Sequence, residues 1–285
     1  MAVNYKAELV GVLGQPVAEN PTGVMQEAAF KAAGLSWRYL TIEVGPENLA
    51  EAMRGVRAFG MRGINLTIPH KVAVIEHLDQ LSHEAHVIGA VNTVRRDGDR
   101  LIGENTDGKG FLRAVRNDVG VDPAGKRVVL LGAGGAARAI ATELLLAGVS
   151  NLLVVNRTAA RGEKMTADLK ASTGGPISFE TWTGVFRPAG ETDLLVNATS
   201  AGLFPDVGAM PNVDLSGLKP DALVRDAVFN PPLTRLLQTA LKRGLRILDR
   251  RSMLVYQGVI GFQMWTGQDA DERVMKQAPR EAMGP

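Results

Sequence analysis

Cysteine is absent from the 285 residues, which excludes a disulfide scaffold, thiolate catalysis and any cysteine-held zinc or iron–sulfur site. Aromatic residues are only 5% of the chain, and the tryptophans Trp37, Trp182 and Trp265 stand far apart, as residues that fill cores or domain contacts do. No excess of one charge is present either: 32 Lys and Arg nearly offset 30 Asp and Glu, giving a net charge of +2. No run of like charges reaches the about five or six that mark a nucleic-acid arm, which argues against duplex binding. His77, His83 and His86 come close in sequence, but with no matching donors elsewhere no metal site is expected. The first residues lack the basic stretch and apolar run of a signal peptide, so a cytoplasmic protein is expected. One long apolar stretch exists, Val128 to Val149. Arg138 and Glu143 interrupt it and glycines crowd its start, so it reads as a strand and a buried helix, and no membrane partner is expected.

Hydrophobic residues make up 45% of the chain, and this length suggests two domains. Short β-rich runs alternate with helical patterns: Leu9–Leu13 then Thr22–Ala33, Trp37–Val44 then Pro46–Phe59, and Gly63–Thr67 followed by Pro69 at a first helical position. Arg95 to Asp99 suggests a hairpin, and a helix starts near Asp107. Asp122–Gly125 reads as a linker to a second block, whose strands are Arg127–Leu131, Leu152–Val155, Ile177–Phe179, Leu194–Asn197, Leu223–Val228 and Leu245–Leu248. Alternation of this kind implies an α/β protein with parallel strands covered by helices. The chain turns helical again after Asp249, in a segment expected to pack back on the first domain, and the polar ending Asp269–Pro285 is expected to fray.

Gly132-Ala133-Gly134-Gly135-Ala136-Ala137 follows an apolar strand and opens an alanine-rich helix. This is the setting in which glycines let a pyrophosphate approach the backbone at a helix N-terminus. About 20 residues on, where NAD sites usually carry an acid for the ribose hydroxyls, the chain has Asn156-Arg157-Thr158, with Arg161 one turn later. Donors and positive charge there would attract a 2′-phosphate, so NADP is the expected cofactor. An ordinary basic helix start is the bland alternative and leaves NAD possible.

Three other motifs say little singly: Lys71 after Thr67-Ile68-Pro69-His70 reads as a solvated lysine, Asp107 as an N-cap, and Asn92-Thr93 as a polar turn. Together with Gly14-Gln15-Pro16-Val17, Asn65 to Lys71, Gly89 to Thr93, Gly103 to Gly108, the glycine turn, Asn156-Arg157-Thr158, Asn197 to Ser200 and Met253 to Gly258, they resemble the shikimate/quinate dehydrogenase family over nearly the whole chain. The resemblance implies an N-terminal αβ substrate domain with a mainly parallel sheet (1–107, completed by helices in 251–285) and a Rossmann dinucleotide-binding domain (108–250). It implies Lys71 and Asp107 as the catalytic pair, and Asn92, Gln257 and Thr67 as substrate contacts. Thr199 and Met253 join the cofactor side. The expected partner is a small cyclic hydroxy acid, and the expected oligomeric state is monomer or homodimer.

Oxidising a secondary alcohol sends a hydride to nicotinamide and the hydroxyl proton to a nearby base. A lysine amine can take that proton, although an adjacent carboxylate favours the charged form and burial has to offset this. Three departures from the family pattern bear on the substrate. Asn20-Pro21-Thr22 stands where Ser-x-Ser or Ser-x-Thr holds the substrate carboxylate, leaving Thr22 one hydroxyl and Asn20 an amide donor. Phe229 stands in place of a tyrosine, and Arg250-Arg251-Ser252 in place of a glycine-containing loop. A quinate or other polyol-acid dehydrogenase using NAD or both cofactors is the in-class alternative, and a non-catalytic nucleotide-sensing protein the one outside it.

Overall fold

The structure, a computed structural model, describes residues 5–228, 231, 233–248 and 250–283. Phe229 lies outside them. The chain divides into two compact units, Met1–Thr106 with Leu254–Pro285, and Asp107–Met253.

The first unit is built on β1 (Glu8–Gly14), β2 (Trp37–Glu43), β3 (Gly63–Leu66), β4 (Gln80–Leu81), β5 (Thr93–Asp97) and β6 (Arg100–Glu104), in the order β2-β1-β3-β5-β6-β4. β1–β2, β1–β3 and β4–β6 pair in parallel, whereas β3–β5 and the hairpin β5–β6 are antiparallel. Period-two alternation in β1 sends Val10 and Val12 to one face and Leu9 and Leu13 to the other, and both faces are covered. On one side lie the residues of α2 (Leu49–Ala58), which a short 3-10 turn at Pro46–Asn48 introduces, in place of the single helix expected over Pro46–Phe59. The other face takes α1 (Thr22–Ala32) and two C-terminal helices, α9 (Arg250–Thr266) and α10 (Glu272–Met283).

Phe30 of α1 stacks on Phe262 of α9 with ring centroids 5.4 Å apart, and Trp265 Nε1 donates to Val94 O at 2.9 Å. Side chains of this size contribute about 1.5–3 kcal/mol each when buried. Where the composition suggested a frayed ending, the described residues form α10 as far as Met283. α10 is polar overall, yet Met275 is fully buried in this core, and Lys276 Nζ donates to Tyr256 OH at 3.0 Å. Two short helices also lie in this unit, α3 (His70–Ala73) and α4 (His83–Ile88). Ser82 caps α4, accepting from Ala85 N at 3.2 Å. Neither α4 nor the two-residue β4 was expected, since runs this short carry little periodicity.

The second unit contains α5 (Thr106–Val119), β7 (Arg127–Leu131), α6 (Gly135–Leu146), β8 (Asn151–Asn156), α7 (Ala159–Thr173), β9 (Ile177–Thr181), β10 (Leu194–Asn197), β11 (Leu223–Asp226), α8 (Arg235–Lys242) and β12 (Arg246–Leu248). Its sheet is parallel throughout, ordered β12-β11-β10-β7-β8-β9. Numbered within the unit this is 6-5-4-1-2-3, the doubly wound Rossmann order, with its switch point between β7 and β10. Val128–Val149 therefore resolves into β7 and α6, and among the described residues no helix is long and apolar enough to cross a membrane. β11 stops at Asp226, two residues short of the expected end, because that carboxylate folds back to accept from Val228 N at 2.9 Å.

Candidate active site

In the first unit the sequence-marked residues are drawn together by backbone contacts. Gln15 N–H donates to Ile68 O at 2.9 Å, and Val91 N–H donates to Lys71 O at 2.7 Å, tying the Asn92 turn to the lysine. His70, 1% exposed, is spent on structure: its ring Nε2 lies 2.7 Å from Val44 O. Lys71 itself is half-buried, as is Thr67. Asn92 is 3% exposed and has its carbonyl engaged, since Oδ1 accepts from Thr106 N at 2.7 Å while Nδ2 donates to Thr106 Oγ1 at 3.0 Å. Thr93 Oγ1 and Asn65 extend the same network to Tyr39, whose hydroxyl donates to Asn65 Oδ1 at 2.7 Å. Burial pushes the Tyr39 hydroxyl well above its ordinary pKa, so it stays a donor. Asp107 directly follows Thr106 in α5 and falls in the second unit. Gln257, on α9, is 7% exposed and donates from Nε2 to Leu254 O at 3.0 Å.

The second unit carries the cofactor candidates. Gly132 ends β7 at φ +110°, and a Cβ there would stand 2.9 Å from Ala198 O, so only glycine fits this turn. Gly134 and Gly135 face open space, and no side chain caps the α6 N-terminus, which leaves its amides for an anion. Ala133, Ala136 and Ala137 complete the turn. A Gly132→Ala variant should lose about 1–3 kcal/mol of stability from backbone strain and weaken dinucleotide binding. Thermal melts with and without NADP would check both effects.

Across the switch point, Thr199 is fixed by Asn197, whose Oδ1 accepts from Thr199 Oγ1 at 2.7 Å. Asn197 in turn donates to Asp226, as does Thr234 Oγ1 at 2.7 Å. Burial pushes the Asp226 carboxyl above its ordinary value, and these hydrogen bonds work against that rise. At the end of β8, Asn156 Nδ2 donates to Thr158 O at 2.9 Å, while Arg157, Thr158 and Arg161 are exposed. Arg157 and Thr199 line a cavity of about 600 Å³, wide enough for a nucleotide. The glycine turn, the uncapped helix and an open cavity with Arg157 on its wall fit an NADP-type dinucleotide.

Several lining residues were not legible beforehand. Trp182, Asp206, Met210 and Asn212 come from the irregular stretch after β9 and the loop after Ser200, where no periodicity marks a site. Trp182 does fill core space, edge-on to Phe186 at 6.5 Å, but it also forms a cavity wall. Met253 is 6% exposed, and Arg225, fully buried on β11, places Nη2 3.3 Å from its Sδ.

Such a sheet, with this turn and this basic strand end, defines a dinucleotide-binding protein of the dehydrogenase type. Family models match three stretches: the shikimate dehydrogenase substrate binding domain over residues 12–94, shikimate / quinate 5-dehydrogenase over 115–204, and the shikimate 5′-dehydrogenase C-terminal domain over 252–278. A shikimate dehydrogenase (NADP(+)) of Methanopyrus kandleri is 42% identical over 283 residues, covering 99% of this chain and 98% of the relative. Among solved structures, ligand-free 5-ketofructose reductase of Gluconobacter sp. strain CHM43 superposes with a TM-score of 0.93 at 44% identity, covering 99% of this chain and 100% of that one. Shikimate 5-dehydrogenase of Thermus thermophilus, in complex with NADP(H) and shikimate, does so with a TM-score of 0.83 at 37% identity, covering 96% and 99%. The chain belongs to the shikimate/quinate dehydrogenase family.

Proposed function

We propose that the protein is an NADP-dependent dehydrogenase that interconverts a ring hydroxyl of shikimate, or of a close cyclic hydroxy acid, and the corresponding ketone. The observation that carries this reading is the joint presence of a basic, acid-free strand end at Asn156-Arg157-Thr158 beside a dinucleotide turn in the second unit, and of Lys71 tied to the Asn92 turn in the first. When bound, the nicotinamide accepts or supplies the hydride. Lys71 takes the hydroxyl proton in oxidation and returns it in reduction. Asp107 orients the lysine and the reacting hydroxyl. Thr67, Asn92 and Gln257 hold the substrate's other hydroxyls, and Asn20 and Thr22 hold its far end. Gly132 to Ala137 and Thr199 cradle the pyrophosphate, Arg157 and Arg161 grip the 2′-phosphate, and Met253 packs on the nicotinamide. The substrate side then comprises 1–107 with 251–285, and the cofactor side 108–250. In this reading the enzyme works in the cytoplasm on a dissolved small molecule, as a monomer or homodimer.

The test is a panel of shikimate, quinate, 3-dehydroshikimate and 5-ketofructose assayed with NADP(H) and NAD(H) by absorbance of the reduced cofactor. The sugar is included because a relative of this chain is named for it. Turnover of shikimate with NADP, exceeding that with NAD, is expected. Absence of turnover throughout the panel would return the non-catalytic reading.

A further inference from the structure

Arg225 is one of the largest fully buried side chains among the described residues. Alternation along β11 sends Val224 and Asp226 toward α8, where Leu236 and Leu237 share a core with the valine and Thr234 donates to the carboxylate. Arg225 goes to the other face. Its Cζ stands 5.8 Å from the centre of the Phe111 ring of α5, Nη1 donates to Asp226 O at the strand end, and Nη2 donates to Met253 Sδ at 3.3 Å in the first turn of α9. All four residues belong to the second unit.

A guanidinium keeps its proton at any working pH, so this is a permanent charge taken out of water. Stability is a poor reason for it, since apolar side chains of similar volume are often neutral or stabilising in place of buried charges. The contacts suggest another reason. Ring and carbonyl hold the planar fork from two sides, and the arm left over meets a thioether. Methionine is unbranched and adapts to whatever surrounds it, so one that must present a fixed surface needs an outside hold. The Nη2 bond supplies that hold. A lysine, which is a point charge on a flexible stem, offers no planar fork to share among ring, carbonyl and sulfur.

We propose that Arg225 is a positioning residue for hydride transfer: braced by the Phe111 ring and Asp226 O, it fixes the Met253 thioether, and through it the nicotinamide. The inference rests on the reading in which Met253 packs on the nicotinamide of an NADP-dependent dehydrogenase.

The experiment follows single-turnover reduction of 3-dehydroshikimate and of 5-ketofructose by bound NADPH, by stopped-flow absorbance, with NADPH titrations and thermal melts alongside. The unmodified protein, Arg225→Leu, Met253→Leu and the double variant are compared. Arg225→Leu should slow hydride transfer about 10-fold or more, because small misplacements of reacting atoms are costly. Its dissociation constant for NADPH should stay within about threefold, the phosphate contacts being untouched, and its melting temperature should not fall. Asp226 keeps its hydrogen bonds from Asn197, Val228 and Thr234, so the exchange leaves no bare carboxylate. Met253→Leu keeps the apolar bulk, removes the sulfur and should slow the same step, with the double variant scarcely worse than either single one. An unaltered rate in either single variant, or losses that multiply, would overturn the route through Met253. A fall in melting temperature and in cofactor affinity together with the rate in Arg225→Leu would make the arginine a structural residue and overturn the proposal. An unmodified protein that binds NADPH and reduces neither ketone would overturn the dehydrogenase reading, and this inference with it.

Discussion

Replacing Lys71 with alanine should cut turnover by about 10²-fold or more while leaving cofactor affinity nearly intact, because the role proposed for the amine is proton transfer and not a dinucleotide contact. Lys71 sits in the first unit, whereas the glycine turn and the basic strand end belong to the second. Its place next to the Asn92 turn is set by backbone, through the Val91 N–H bond to Lys71 O at 2.7 Å, so the substitution removes the amine and leaves the turn in place. Asp107→Asn should lower the rate similarly. The double variant should be scarcely worse than either single one, since the proposed mechanism has the two groups act on one proton. Near-normal turnover in Lys71→Ala would sink the lysine's role, and multiplicative losses would show that the pair does not act as a unit. Steady-state rates together with NADP titration by fluorescence separate these outcomes.

Cofactor choice should turn on Arg157. Its side chain is exposed and lines the cavity with Thr199 and Trp182, and a guanidinium there grips a 2′-phosphate through charge-assisted bonds. One such contact is worth about 1.5–3 kcal/mol, which corresponds to roughly 10- to 150-fold in affinity. Arg157→Ala should therefore weaken NADP strongly and NAD little. Asn156→Asp should push preference toward NAD, since a carboxylate accepts both ribose hydroxyls and repels the phosphate. Added salt should shrink the NADP advantage through screening, because the site is open to solvent. Tighter binding of NAD than NADP by the unmodified protein, measured by titration, would mean that the basic strand end is only a helix start.

What the sequence made legible follows from local chemistry. The glycine turn was readable because a positive φ and a backbone oxygen 2.9 Å from a would-be Cβ exclude any other residue at position 132. The apolar runs of β7 and β10 announced strands buried on both faces. Three features stayed hidden because their cause is tertiary. α10 is mostly polar, so its composition read as a frayed end, and only the core that receives Met275 makes it a helix. The cavity walls at Trp182 and Met210 come from irregular stretches brought together after the strands are in place. Arg225 stands fully buried beside Asp226 at the end of β11, against the ordinary preference of arginine for water.

The first unit is discontinuous in sequence. Val10 and Val12 of β1, together with Met25 and Phe30 of α1, share one core with Val259 and Phe262 of α9 and Met275 of α10. β1 and α1 thus leave a ribosome well before α9 and α10, which complete the cover of their apolar face. About 150 residues of the second unit are made in between, or about 8–30 s of synthesis. The nucleotide-binding half has all its strands before then, so it can close first. During that interval the apolar face formed by Val10, Val12, Met25 and Phe30 lacks the side chains of α9 and α10 that cover it in the folded unit.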